Sequence, residues 1–214
     1  MQRRKAMWVL PQKRKASAVG WLGATLFLAG CASHPEPLPR AQQVDLERFM
    51  GAWYVIGYTP TFLDKNAHNG VEHYYLKKSA SGGKDKILTT YQFRKGSFDG
   101  ELKTLKPTGF VYDKDTNAEW RMQFFWPFKA DYIVMYLSED YQQTVIAHPN
   151  RRYAWIMQRT PEMPEDTYNQ LLNKLEVAGY DPAIIKRQPQ NWQNDQQRLA
   201  DIERIGASEP LVER

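Results

Sequence analysis

The sequence predicts an all-β protein, an eight-stranded antiparallel up-and-down barrel followed by a C-terminal amphipathic helix. Three observations carry this. Eight short segments rich in aromatic and β-branched residues follow one another between residues 52 and 159. The breaks between them are tight and hold turn residues, as in Ser79-Ala80-Ser81-Gly82-Gly83 and Asp113-Lys114-Asp115-Thr116-Asn117. After Pro164 the apolar spacing changes from two residues to three and four. Consecutive strands on short connections suit a meander, and about eight of them close around room for one small ligand. An immunoglobulin-type sandwich is the alternative, but nothing in the chain requires its crossing connections.

The first strand, 52–58, follows Phe49-Met50-Gly51, where the glycine suggests a turn or a close approach of backbone. Trp53, Val55 and Gly57 share one face, and Tyr54, Ile56 and Tyr58 the other, so both sides should be covered. The next loop carries Phe62 and Leu63, which could cap an opening. Strands at 71–78 and 87–94 follow, then one at 101–112 that Pro107 should interrupt. The strand at 118–124 has the clearest period of two, with Ala118, Trp120, Met122 and Phe124 alternating with Glu119, Arg121 and Gln123. Phe125-Trp126-Pro127-Phe128 breaks it, and strands at 131–137, 142–147 and 152–159 complete the set. Glu165 and Asp166 are acids suited to the start of a helix, and Ala178-Gly179 is a stop. From about Asn191 the chain turns polar, as a mobile or partly helical tail would.

The formal charge of +5 points to a polyanion partner until the chain is divided. Six of the positive charges, and no acid, lie in residues 1–30, which leaves −1 for the rest. Nucleic acid is therefore not an expected partner. The same basic residues precede a short apolar run, 16–30, as in a secretory signal peptide. That run is shorter than the ~20 residues a spanning helix needs. Leu28-Ala29-Gly30-Cys31 matches the bacterial lipobox, in which the cysteine thiol is acylated and becomes the new N-terminus. Cys31 is the single cysteine, so no intrachain disulfide forms. Ala32 and Ser33 after it, with no Asp, resemble the sorting pattern for the outer membrane, with the domain facing the periplasm. The organisation that follows is a signal peptide over 1–30, a proline-rich tether over 31–44 anchored by lipidated Cys31, a barrel and helix over 45–192, and a polar tail over 193–214.

Gly51-Ala52-Trp53, then Asp140-Tyr141, then Arg159 with Thr160-Pro161 and a helix, resemble in order the marks of the lipocalin family. Phe125-Trp126-Pro127-Phe128 and the run from Tyr153 to Pro161 are similar to bacterial outer-membrane lipocalins of the Blc type. The resemblance spans about 44–192 and the lipobox, and the tail after Trp192 departs from it. It implies a closed-end barrel that binds a lipophilic molecule, in the bacterial members fatty acids or lysophospholipids, with a role in storing or moving envelope lipids. It implies no enzyme activity and no cofactor, a membrane contact through the N-terminal acyl chains, and a fold in which a homodimer is possible.

Within that frame Trp53 forms the barrel floor and Arg159 lies across its indole, a structural pair. Alternation from Arg159 turns Met157, Trp155 and Tyr153 inward. Trp120, Met122 and Phe124 join them, with Val71, His73 and Tyr75 from the second strand and Tyr132, Val134 and Tyr136 from the sixth. His73 or a tyrosine hydroxyl could orient a lipid headgroup. The four histidines, His34, His68, His73 and His148, have no metal-ligand spacing, and no nucleophile elbow or phosphate-cradling loop is present. Two alternatives stand beside lipid binding. One is an enzyme acting on a lipid or quinone-like substrate, with His73 and nearby tyrosines as acid–base groups. The other is a scaffold lipoprotein whose barrel is filled by its own side chains.

Overall fold

The computed structural model describes residues 36–80 and 84–211. The expected signal peptide, Cys31 and the first residues of the tether lie outside the described residues. Pro37–Arg214 forms one compact unit. Both apolar clusters lie wholly within it, so this part carries the core it needs to fold alone.

A short helix, α1 (Leu46–Phe49), precedes the barrel, and the Asp45 carboxylate accepts from the Glu47 and Arg48 amides to start it. The sequence reading had placed Phe49 beside the strand as part of its lead-in; here it belongs to the helix that plugs the barrel end. The staves are β1 (Gly51–Tyr58), β2 (Ala67–Lys77), β3 (Lys86–Lys95), β4 (Leu102–Leu105), β5 (Thr108–Val111), β6 (Glu119–Phe125), β7 (Phe128–Leu137), β8 (Gln143–Ala147) and β9 (Ala154–Gln158). Both β4 and β5 pair with β3, and the break between them falls at Pro107, which has no amide hydrogen for a ladder. They act as one stave. Every other neighbour in sequence pairs antiparallel, and β9 returns to β1, so eight staves close the barrel.

Two apolar layers result. The inner one gathers Phe49, Trp53, Val55, Tyr74, Phe93, Trp120, Val134 and Met157 inside the barrel. The outer one lies between the barrel wall and α2 (Glu165–Val177), whose Tyr168, Leu171 and Leu175 are buried. Glu165 and Asp166 occupy the first turn of α2, favourable for the helix dipole, and Gly179 (φ 89°) ends it.

The seam between β1 and β2 is closed by the chain that follows α2. Beyond Tyr54 the edge of β1 is taken by β10 (Lys186–Arg187) instead of β2. The strap continues as Gln188 N donates to Ile56 O at 2.9 Å and Asn69 N to Pro189 O at 2.9 Å. The Asn69 side-chain amide bonds the Asn191 backbone twice, donating from Nδ2 to Asn191 O and accepting at Oδ1 from Asn191 N, both at 2.7 Å. Gly70 has no side chain, and the Gln188 amide fills that gap and reaches the Tyr91 hydroxyl at 3.0 Å.

Both ends of the domain are packed on the barrel where the described residues cover them. Leu38 and Val44 are buried and Ala41 N donates to Val134 O at 2.9 Å, so the later part of the expected tether is packed on the barrel. The polar tail, expected to be mobile or partly helical, contains α3 (Gln196–Ile205), which lays Ile202 and Ile205 on the outer layer. Asp195 before it pairs with Arg94 at 2.6 Å and Arg198 at 2.7 Å. Burial of a few apolar side chains and the Arg94–Asp195–Arg198 ion triad hold a segment whose composition alone reads as polar.

Candidate functional site

The barrel has one sealed end. Gly51 takes φ 91°, a conformation that side chains resist, and this lets the chain turn from α1 into β1. Trp53 is fully buried there, its indole N–H donating to Phe49 O at 2.8 Å. The Arg159 guanidinium lies over its ring at 3.8 Å. Arg159 also donates to Ala52 O at 2.8 Å, Arg48 O at 2.8 Å, Phe49 O at 3.0 Å and Tyr141 O at 3.3 Å. Burial lowers its pKa to about 10, which leaves it charged near neutrality. Tyr141 locks α1 from the other side: its hydroxyl accepts from Asp45 N at 2.9 Å and its ring carries the Arg48 guanidinium at 3.9 Å. Phe49 then packs on Trp53, Trp120 and Tyr74, with centroids 5.0, 5.3 and 5.6 Å away.

Beyond this aromatic plug the barrel is open. A cavity of about 600 Å³ is bounded deep down by Glu72, Thr89, Tyr91, Met122, Tyr132 and Trp155, and towards its mouth by Phe62, Leu63, Phe124, Phe125 and Tyr153. That size lies in the range of small-molecule sites. The barrel is thus not filled by its own side chains, contrary to the scaffold alternative. Tyr132 stacks on Trp120 at 5.4 Å, so the cavity ends on the plug.

The lining is apolar apart from a few groups, among them the carboxyls of Asp64, Glu72 and Asp131 and the His148 imidazole. Glu72 is 7% exposed and lines the cavity. The Tyr74 hydroxyl donates to its Oε2, and the Tyr132 hydroxyl bonds Tyr74 in turn. Burial pushes the Glu72 carboxyl up to about 7, against the pull of the Tyr74 bond and with a smaller push from Asp64. Burial likewise raises Asp64, although its Oδ1 accepts from Thr61 N at 2.8 Å and Thr61 Oγ1 at 2.7 Å.

Of the residues expected to contact a ligand, Met122, Phe124, Tyr153 and Trp155 line the cavity. Trp120 and Met157 face inward but lie fully buried, outside its lining. His73, Tyr75 and Tyr136 do not face it. Trp53 pairs with Glu72 across the sheet, and cross-strand partners share a face, so Glu72 and Tyr74 point in while His73 and Tyr75 point out. His73 Nε2 bonds Gly206 O at 2.5 Å, at the end of α3. Its place outside the barrel takes the histidine away from the enzyme alternative, which had paired it with nearby tyrosines. A register shift between Val134 and Tyr136 turns Tyr136 onto the outer layer, where Lys174 Nζ lies 4.4 Å from its ring centroid. Asp64, Glu72, Thr89 and Tyr91 were missed. The signal for Glu72 was the opposite parity of β2, which puts Glu72 and Tyr74 on one face. Among the described residues no group of three or more His, Cys, Asp or Glu is placed to hold a metal ion.

A profile described as a lipocalin-like domain matches residues 44–190. The chain belongs to the lipocalin family. This lipocalin is 32% identical over 158 residues to temperature-induced lipocalin-1 of Arabidopsis thaliana, covering 69% of this chain and 80% of that one. It is 28% identical over 159 residues to the outer membrane lipoprotein Blc of Escherichia coli K12, covering 72% and 86%. Among solved structures, lobster apocrustacyanin A1 aligns with a TM-score of 0.53 at 11% identity over 76% of this chain and 97% of that chain. Insecticyanin from the tobacco hornworm Manduca sexta aligns with 0.52 at 17% identity over 72% and 84%. At such identities the structural likeness concerns the fold.

Proposed function

We propose that this lipocalin holds one small lipophilic molecule in its barrel at a bacterial outer membrane, to which acylated Cys31 ties it from the periplasmic side. The observation that carries the reading is the cavity itself, about 600 Å³, closed below by an aromatic plug and lined mainly by apolar side chains. Met122, Phe124, Trp155 and Tyr153 provide a path for an acyl chain from the plug to the mouth. The lipobox ending in Cys31 and the relatedness to proteins named outer membrane lipoprotein Blc support the location. Two or more acyl chains make such an anchor stable, since each buried methylene adds about 0.8 kcal/mol. Fatty acids and lysophospholipids both present a tail that this lining takes, and storage or transfer of such molecules follows from a pocket with one open end.

The test is mass spectrometry on the full chain extracted from its own membrane. A diacylglyceryl group on Cys31 and a co-extracted lipid near one per protein are the expected result. A folded protein with an unmodified thiol and no bound lipophilic molecule would sink the reading.

A further inference from the structure

The deep wall of the cavity presents an arrangement that an acyl tail does not use. Tyr74 has one hydroxyl hydrogen and gives it to Glu72, so Tyr132 gives its own to Tyr74. The relay runs Tyr132 to Tyr74 to Glu72 and ends on an acceptor. Glu72 Oε1 has no protein partner among the described residues, and its charge is shifted by no neighbouring cation. Thr89, directly across the ladder from Tyr74 and 3% exposed, also lines the cavity, and its Oγ1 is buried without a partner. The groups facing Glu72 are Asp64 from the β1–β2 connection, Tyr74 on its own strand, Tyr91 on β3 and Tyr132 on β7. None is a cation. Arg159, the charge of the plug, is bound to four backbone carbonyls.

We propose that Glu72, held by Tyr74 and Tyr132 and bordered by Thr89, is a recognition subsite for the donating end of the ligand, a primary ammonium carried on an apolar chain. The proposal rests on the lipid-binding reading above and specifies the end of the ligand that enters first. The fold has already stripped water from the carboxyl, which is the main cost of a buried ion pair. An ammonium supplies the missing countercharge and hydrogen atoms for Oε1 and Thr89 Oγ1, while its chain runs along Met122 and Trp155 towards Phe62. A fatty-acid carboxylate entering the same way meets the like charge of Glu72, with the Thr89 hydroxyl hydrogen as the donor left to it.

The experiment uses the compact unit Pro37–Arg214 loaded with diphenylhexatriene, a fluorescent hydrocarbon with no polar group, displaced by dodecylamine, dodecanol or dodecanoic acid. At about pH 8, where the carboxyl is ionised, the amine is expected to displace the probe at roughly tenfold lower concentration than the acid. Glu72→Gln should bring amine and acid to within about threefold of one another. Equal or better displacement by the acid in the wild type, or an unchanged ratio in the variant, overturns the proposal. Should the variant not fold, the wild type suffices: at about pH 5.5 the carboxyl is protonated and the advantage of the amine should vanish. An advantage that persists there overturns the proposal as well. Probe binding without the ranking removes the subsite and leaves the lipid-binding reading intact, whereas no saturable probe binding removes both.

Discussion

Arg159 and Glu72 are ionisable side chains drawn into the same barrel, at its sealed end and on its deep wall, and their surroundings differ in kind. Arg159 donates to four backbone carbonyls and lies flat on Trp53 at 3.8 Å. Glu72 receives one hydroxyl from the protein and keeps an oxygen towards a void. A polar group whose bonds are all made locks the chain into one conformation; one whose bonds are left unmade costs stability unless something else completes it. The sealed end is thus finished by the protein, and the wall is left for a ligand to finish.

The largest way to break this contrast is to remove the floor. Trp53→Ala deletes a fully buried indole, leaves Phe49 O with Arg159 as its one remaining donor and takes away the ring under Arg159. A loss of about 3–5 kcal/mol is expected for a buried aromatic, read as a fall in the urea midpoint. A midpoint equal to wild type would show that the plug does not hold the barrel together.

Glu72 should act in the opposite sense, through pH. Its carboxyl ionises near 4.5 when unfolded and near 7 in the fold, because burial disfavours the charge. Between those values the native state holds the extra proton, so stability falls as pH rises and levels off above about 7. The whole loss from this group is about 3 kcal/mol, and Asp64, raised for the same reason, tilts the curve the same way. Glu72→Gln cannot ionise and should flatten the curve, which makes it more stable than wild type above about pH 7. Urea midpoints of both proteins from acid to weakly alkaline pH decide it. Parallel curves would mean that Glu72 is hydrated, and the contrast with Arg159 would collapse.

The staves of the barrel and α2 were legible in the sequence because each rests on a local pattern, a period of two or a helical spacing, and the Trp53–Arg159 pair because its motifs resemble, in order, those of the lipocalin family. What escaped notice depends on contacts between distant segments. On β2 both alternations are credible, since Val71, His73 and Tyr75 compete with Glu72, Tyr74 and Leu76, and nothing within the strand chooses between them. Only the register against Trp53 resolves it. Tyr136 was misplaced by an irregularity in β7 that no composition announces. The docking of α3 left a trace, Leu199, Ile202 and Ile205 three residues apart with Gly206 after them, too sparse to stand out among polar neighbours.

The smallest effect tests the strap, a feature invisible without the structure. A methyl group at Gly70 would fall 1.7 Å from Gln188 Oε1, so the amide must swing away. The obstacle is the far end of a flexible side chain, and Gly70 does not need a left-handed conformation, so the backbone can stay in place. What is lost is the Gln188 bond to Tyr91 at 3.0 Å, inside the barrel. Gly70→Ala should therefore cost about 1 kcal/mol, the net value of one hydrogen bond. Tyr91 stands directly opposite Glu72 on β3. With its amide donor gone, the wall beside Glu72 becomes still poorer in donors, so the variant should retain the preference for an amine over an acid while its urea midpoint drops slightly. A large loss of stability would show instead that the strap, and not the plug, is what closes the barrel.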